Sequence, residues 1–387
     1  MNNTWWVKPD DLDDRQKAVI DLPLTTSHLI VGPPGSGKTN LLLLRASQMV
    51  RSGKPNILIV VFTRTLREFA ATGGTQYAFG VDKIQTLNGW ALRFLRDYGV
   101  TPIKDADFEK QRRSQVAQIK EVIAQHKLSG IYDAIVLDEA QDYQPDELDV
   151  FFTLGNIIFA AADSHQKIYV TDETQGPALG ARFAGHQYTL KHHYRNGDKI
   201  CLVADALAKV WGDFELLMPT SQYDERMNPS SVVVKQCTDM TAQVAVVVDS
   251  LQLQMKAYPE EHLGVLCPSR PVLKAVWQQL RTSVVAGHAV LQSAEEGYEE
   301  FDPGKPICVC SIHGAKGLEF RAAHILDADN MKKSSLNRNI AYMAVTRAKT
   351  SLALYFSKAL PGYIDSALLA TRPAVPQAKL NQLFGGD

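Results

Sequence analysis

Gly32-Pro33-Pro34-Gly35-Ser36-Gly37-Lys38-Thr39 is the stretch of this chain most plainly built for chemistry. It follows an apolar tetrad, His28 to Val31, and precedes a helical run, Leu41 to Met49. Glycines let successive backbone N–H groups curl toward one anion, because a chain without Cβ atoms reaches conformations closed to other residues. The N-terminus of the following helix adds its dipole. In that setting Lys38 reaches the β and γ phosphates of a nucleoside triphosphate and Thr39 ligates Mg²⁺. An ordinary glycine turn has no need of strand, loop and helix in this order. Gly32, Pro33, Pro34, Gly35, Ser36, Gly37, Lys38, Thr39 and Asn40 form the expected phosphate-binding set.

A second apolar run, Ala134 to Leu137, leads into Asp138-Glu139-Ala140-Gln141-Asp142. A carboxylate at the tip of a strand neighbouring the phosphate loop can hold the Mg²⁺ water shell, and the next carboxylate can orient or deprotonate the attacking water. Asp-Glu also occurs at solvated helix starts, but the apolar strand before it and the phosphate loop elsewhere favour chemistry. Asp138 joins Thr39 as a metal residue, and Lys38, Asp138 and Glu139 are read as catalytic.

The elements that must position these groups alternate along the chain. Apolar runs at His28–Val31, Ile57–Phe62, Ala134–Leu137 and Ile168–Val170 read as strands, with helical spacing between them, the alternation of a parallel sheet covered by helices. The second half repeats the scheme. Val244, Val247, Val248 and Leu251 share a helical face behind a capping candidate, Thr241, the run Leu263 to Cys267 is strand-like, and Leu273, Val276, Trp277 and Leu280 share another helical face. Residues 105 to 128 predict one long amphipathic helix dense in Arg, Lys and Gln and closed by Gly130. The fold class is therefore α/β with two lobes, 1–190 and 191–387, joined near Leu190 to Gly197. The first carries a short helical insertion at about 91–130.

Composition bounds the function. The chain has 387 residues, 45% of them hydrophobic, and a net charge of −1, so two cores are expected and no bulk positive charge would hold nucleic acid nonspecifically. The first residues show no basic region followed by an apolar core, and the greasiest stretch, Val150 to Ala162, is broken by Thr153, Gly155 and Asn156. A cytoplasmic location without membrane contact is the expectation. The five cysteines lack the spacing of a zinc site or disulfide framework, and Cys308 and Cys310 would face one side of a strand as buried thiols.

Three runs carry a family resemblance: Asp138 to Asp142, Val309-Cys310-Ser311-Ile312-His313-Gly314-Ala315-Lys316-Gly317-Leu318-Glu319-Phe320, and Tyr342-Met343-Ala344-Val345-Thr346-Arg347-Ala348-Lys349. With the phosphate loop they resemble, in order, the motifs of superfamily 1 DNA helicases of the UvrD/Rep type. The resemblance implies two RecA-like P-loop NTPase domains with ATP in the cleft between them. It also implies Gln16 as the adenine reader, Gln175 as the γ-phosphate sensor, Tyr194 as the adenine-stacking ring, Arg195 and Arg347 as arginine fingers, and Gly317 and Glu319 near the ribose. Two guanidiniums from the second lobe can neutralise charge on the γ-phosphoryl only when the cleft closes, which couples hydrolysis to lobe motion.

For single-stranded DNA the matching positions are Thr63, Arg64, Thr86, Asn88, Trp90, Ser311 and His313, with Trp90 either an exposed stacking platform or a core residue. Lys316 and Lys349 read as solvated or functional. Three departures stand out: Arg64-Thr65 replaces the usual Asn-Lys pair, Thr86-Leu87-Asn88 replaces a Thr-Phe-His run, and Gly176-Pro177-Ala178-Leu179-Gly180 replaces an aromatic pair. Stacking is worth about 1–3 kcal/mol per base, so the grip on DNA is expected to be weaker than in full-size relatives, whose large accessory subdomain is also missing. The expected activity is an ATP- and Mg²⁺-dependent translocase or helicase with 3′ to 5′ polarity. The alternative is an ATPase subunit regulating a partner nuclease, since short UvrD-like proteins accompany nucleases in antiphage systems such as Gabija.

Overall fold

The computed structural model describes residues 9–72, 77–105, 107–163, 175–211, 215–293, 297–299, 301–302, 304–331 and 335–371, with side chains of 69–72, 175–178, 211 and 335–337 also outside the description. The expected strand Ile168–Val170 lies outside the described residues.

The first sheet contains β1 (His28–Val31), β2 (Ile57–Val61), β3 (Ile84–Thr86), β4 (Ala134–Leu137), β5 (Ile158–Ala162) and β6 (Gln187–Thr189). Its order is β3-β2-β4-β5-β1-β6 and every pairing is parallel. Its helices are α1 (Asp14–Ile20), α2 (Lys38–Arg51), α3 (Arg64–Thr72), α4 (Leu87–Asp97), α5 (Phe108–His126), α6 (Pro145–Leu154) and α7 (Gln175–Arg182). In β2, Ile57, Ile59 and Val61 enter one core while Leu58 and Val60 enter the core on the opposite face. Successive side chains alternate across a strand, so a run apolar at every position marks a sheet covered on both sides.

The second sheet follows in chain order: β7 (Ser231–Gln236), β8 (Leu263–Cys267), β9 (Ala289–Ser293), β10 (Gly297–Tyr298), β11 (Ile307–Ser311), β12 (Phe320–Ile325) and β13 (Ala348–Phe356). The order is β10-β9-β11-β8-β12-β13-β7, parallel throughout apart from the β9–β10 hairpin. Around it lie α8 (Asp198–Ala208), α9 (Met240–Ala257), α10 (Arg270–Leu280), α11 (Ser335–Val345) and α12 (Gly362–Leu368). Cys308 and Cys310 do share one face, with Val309 on the other. Among the described residues no helix is long and apolar enough to cross a membrane.

The stretch Val150 to Ala162 is interrupted, dividing into the end of α6, a break at Gly155 and strand β5. Two local expectations are corrected. The long basic helix ends at Lys127, whose φ of 53° forms the left-handed cap, three residues before Gly130. Asp239, and not Thr241, caps α9: its carboxylate accepts the Ala242 N–H at 2.8 Å, leaving Thr241 on the exposed first turn. Asp239→Ala should therefore cost about 1 kcal/mol of stability, while Thr241→Ala should stay within about 0.5 kcal/mol, as read by thermal or denaturant unfolding.

Candidate functional site

The loop between β1 and α2 holds Gly35 and Gly37 at φ of 79° and 84°, a backbone region that side chains disfavour. Both glycines are also points of close approach. A Cβ on Gly35 would meet the Cβ of Arg195 at 2.4 Å, and one on Gly37 would meet Nε2 of Gln16 at 2.8 Å. Gly37 precedes α2 without a side-chain cap, so the first-turn N–H groups of this 14-residue helix have no partner within it. The Ser36 hydroxyl is buried without a hydrogen-bond partner. Lys38 Nζ donates to the carbonyls of Gly32 (2.7 Å) and Pro33 (2.8 Å) and lies 3.6 Å from Asp163. Spare donors, an ammonium and a glycine cradle that a Cβ would fill suit a polyphosphate.

Asp138 follows β4, and its Oδ2 accepts the Thr39 hydroxyl at 2.9 Å. The strand carrying Asp138 is not adjacent to β1 in the sheet, because β5 lies between β4 and β1. The start of α2 closes that gap. Burial and the adjacent Glu139 raise the Asp138 carboxyl to about 7, against the Thr39 hydrogen bond and the Lys38 charge. A hydroxyl and a carboxylate short of counter-charge are a fitting donor pair for a divalent cation. Glu139 sits at φ 53°. Burial favours its neutral form, but Lys316, Lys38 and the Gln141 amide outweigh that and hold its carboxyl below the usual range. Gln141 donates to Glu139 Oε2 at 2.6 Å and accepts the Asp163 N–H at 2.9 Å, tying the ends of β4 and β5 together.

The opposite wall comes from the second lobe and from the connection before it. Arg195, on that connection, pairs with Glu319 and is buried. Arg347 is 1% exposed, its Nε donating to the Met343 carbonyl at 3.1 Å and its Nη1 to the Leu318 carbonyl at 3.0 Å. Burial, then the neighbouring Arg195, lower its guanidinium to about 10. The Tyr194 hydroxyl donates to Asp13, which caps α1 and closes a capping box with Gln16, whose amide donates to the Ser36 carbonyl at 3.1 Å.

These groups surround one cleft of about 320 Å³. Gln16, Pro34, Gly35, Gly37, Lys38, Thr39, Asn40, Asp138, Glu139, Tyr194, Arg195, Gly317, Glu319 and Arg347 line it. Gly32, Pro33 and Ser36 are buried beneath it and contribute backbone acceptors. The Gln175 side chain lies outside the described residues.

The positions read for DNA fall into two groups. Arg64, Thr86 and Asn88 line a second cavity, where the Arg64 guanidinium stands 4.8 Å over the Tyr298 ring. Thr86 caps α4, accepting the Gly89 N–H at 3.1 Å. Thr63 Oγ1 donates to the Lys316 carbonyl at 3.2 Å. Ser311, at the end of β11, accepts the Gly314 N–H at 3.1 Å beside exposed His313. Trp90 is a core residue: it is 3% exposed, packs on Phe94 and Phe151, and donates to the Tyr132 hydroxyl at 3.2 Å. It also borders the second cavity, but at this exposure it is no exposed stacking platform.

One residue unnamed in the sequence analysis, Asp163, and two left open there, Lys316 and Lys349, complete the site. Asp163 follows directly on the apolar run of β5, a signal of the same kind as Asp138. Lys316 is 1% exposed, which overturns its reading as a solvated lysine: its ammonium pairs with Asp142 and lies 3.9 Å from Glu139. Lys349 lines the cleft and lies 3.6 Å from Glu261. Truncating Lys316 leaves two buried carboxylates without their cation, so Lys316→Met should cost about 3–5 kcal/mol, read as a lowered unfolding midpoint.

Comparison with known proteins finds likenesses over parts of the chain. Residues 306–355 match the UvrD-like helicase C-terminal domain, a span holding β11, β12, Lys316, Glu319 and Arg347. Over 111 residues the chain is 34% identical to the replication restart protein PriA of Chlamydia pneumoniae, a stretch amounting to 27% of this chain and 13% of that protein. The C-terminal domain of a possible DNA helicase from Lactobacillus plantarum WCFS1 aligns with 45% of this chain and 93% of its own, at 22% identity and a TM-score of 0.32. Residues 306–355 thus resemble a UvrD-like helicase C-terminal domain, within a chain whose two sheets are covered by helices.

Proposed function

We propose that this protein is an ATP- and Mg²⁺-dependent single-stranded DNA translocase or helicase of the UvrD/Rep type, with residues 1–190 and 191–387 as its moving domains and 3′ to 5′ polarity. The observation that carries the reading is the cleft itself: Lys38, Thr39 and Asp138 on one wall face Arg195, Glu319 and Arg347 on the other. Mg²⁺ held by Thr39 and Asp138 would polarise the phosphoryl oxygens. Lys38 leaves its two carbonyl partners for the phosphates, a charge-assisted contact stronger than the neutral acceptors it gives up. Glu139, kept ionised by the cations beside it, orients the attacking water. Arg195 and Arg347 meet the charge that develops on the γ-phosphoryl, and a closed cleft makes that charge worth more in a site drained of water. Tyr194 and Gln16 hold the base at the outer end.

A second reading, an ATPase subunit that regulates a nuclease, is favoured by one observation. Trp90 is buried, which removes an aromatic platform from the DNA path. The two readings share the ATP chemistry and differ in work done on DNA. ATP turnover of the isolated chain should rise with oligo(dT), and Lys38→Ala and Glu139→Gln should each lower it about 10²–10³-fold. Strand separation by the isolated chain favours the helicase, whereas DNA-stimulated turnover without separation, together with a copurifying nuclease, favours the regulatory subunit. Absence of turnover with and without DNA overturns both.

A further inference from the structure

The helical insertion α5 sends one arginine into the interior of the first lobe. Arg112 is 5% exposed and grips Glu147 of α6 with both nitrogens of its fork, Nη2 standing 2.5 Å from Oε2. The same Nη2 donates to the backbone carbonyl of Asp142 at 2.7 Å. Asp142 is the residue whose carboxylate holds Lys316, and Lys316 faces Glu139 at 3.9 Å. A chain of charged contacts therefore runs from the insertion, through Asp142 and Lys316, to the carboxylate placed beside the attacking water.

The other side of Arg112 faces the second cavity. This cavity, of about 590 Å³, lies between α3, α4 and α5, with Tyr298 of the second sheet on its rim. Phe62, Phe108 and Tyr298 give it aromatic surface, and Arg64, Arg67 and Arg93 give it positive charge. Rings beside guanidiniums are the chemistry that takes up a base and its phosphate. Phe62 also touches the internal chain: the Arg112 guanidinium lies 5.7 Å and the Lys316 ammonium 5.2 Å from its ring centre. Arg112 Nη1 is buried with no hydrogen-bond partner, its nearest carboxylate being Glu109 at 3.8 Å. A donor left spare on a cavity wall is aimed at a ligand.

We propose that Arg112 is a positioning residue that makes the rate of ATP turnover depend on whether a nucleotide of single-stranded DNA fills this cavity. The proposal deepens the translocase reading and rests on it. A base laid on Phe62 and a phosphate oxygen on the spare Nη1 change the partners of both cations on that ring. Because Arg112 is fastened to the Asp142 carbonyl, the change reaches the Lys316–Glu139 contact through one backbone unit. The ligand shifts the site only in so far as it binds the two arrangements differently, so the coupling is measurable as a ratio of rates.

The test compares wild type with Arg112→Gln, Arg112→Lys and Glu147→Gln. ATP turnover is measured with and without oligo(dT), KM for ATP by titration, oligonucleotide affinity by fluorescence anisotropy, and folding by thermal melting. In Arg112→Gln and Glu147→Gln the stimulation by oligo(dT) should fall about fivefold or more, with KM for ATP within about twofold of wild type. Arg112→Lys should recover part of the stimulation, because it keeps the charge and one contact. Should Arg112→Gln fail to fold, Glu147→Gln and Arg112→Lys carry the same comparison. Wild-type stimulation in these variants, or a loss no larger than the loss of folded protein or of oligonucleotide affinity, overturns the coupling and leaves the translocase reading standing. A wild-type chain that turns over ATP without any response to DNA overturns the translocase reading itself.

Discussion

One buried ammonium organises the interior of this molecule. Lys316 Nζ, from the turn after β11 in the second sheet, is enclosed by Asp142 and Glu139 from the turn after β4 in the first. Removing a charge from water is expensive, and the cost is offset only where the partner geometry is good and the remaining polar groups are bonded. Here Gln141 donates to Glu139, the Thr63 hydroxyl holds the Lys316 carbonyl, and Arg112 holds the Asp142 carbonyl, while Asp142 Oδ1 is buried without a hydrogen-bond partner. The same ammonium pairs with Asp142 across the two sheets and, together with Lys38 and Gln141, keeps Glu139 ionised, so the apposition of the sheets and the charge of Glu139 are linked through it.

The sheets make that apposition possible. In a parallel sheet all the strands end on one edge, and the turns that follow gather there. The phosphate loop, Asp138, Asp163 and Thr63 all follow strands of the first sheet, while Ser311 ends a strand of the second and Lys316 follows it. The connection between the lobes is pinned on both sides: Tyr194 N–H donates to the Gly35 carbonyl at 3.1 Å, Gly197 N–H to the Lys349 carbonyl at 2.9 Å, and Asn196 to the Thr346 carbonyl at 3.0 Å. Any movement of one lobe against the other is therefore felt directly at the phosphate loop and at the turn carrying Arg347.

Much of this was legible in the sequence because the signals were local. The phosphate loop, the strand that precedes Asp138, and the alternation of apolar runs each follow from residues close together in the chain, and all of β1, β4 and β8 lie at their expected bounds. What escaped was non-local or ambiguous in period. The strand β5 was hidden because the end of α6 and β5 lie in one largely apolar stretch, broken only briefly around Gly155. The burial of Lys316 was invisible because its partner Asp142 is 174 positions away in the chain. The cap at Asp239 was missed because Thr241 is also a capping residue type, and choosing between them requires knowing where the helix starts. For Trp90 both readings suited the residue type, and the neighbouring rings of Phe94 and Phe151 decide between them.

The near-zero net charge takes on a different meaning once the partners are known. Arg45, Arg112, Arg195, Lys316 and Arg347 are all buried, and so are Asp138, Asp142, Glu147, Asp163, Asp205 and Asp327, so the interior charges largely offset one another and the outer surface keeps the near-neutral balance of the whole chain. Arg64 remains exposed, and it stands with Arg67 and Arg93 around the larger cavity. Long-range attraction of a polyanion scales with the charge that solvent can see and is screened within about 10 Å at 0.1 M salt, so such a surface recruits nucleic acid weakly from a distance and holds it chiefly by contact. On the translocase reading proposed above, occupancy would be governed by local fit at the cavity. A fit made of a few rings and guanidiniums, one of which is fastened to the turn after β4, would let the presence of a ligand and the rate of turnover be set by the same side chains.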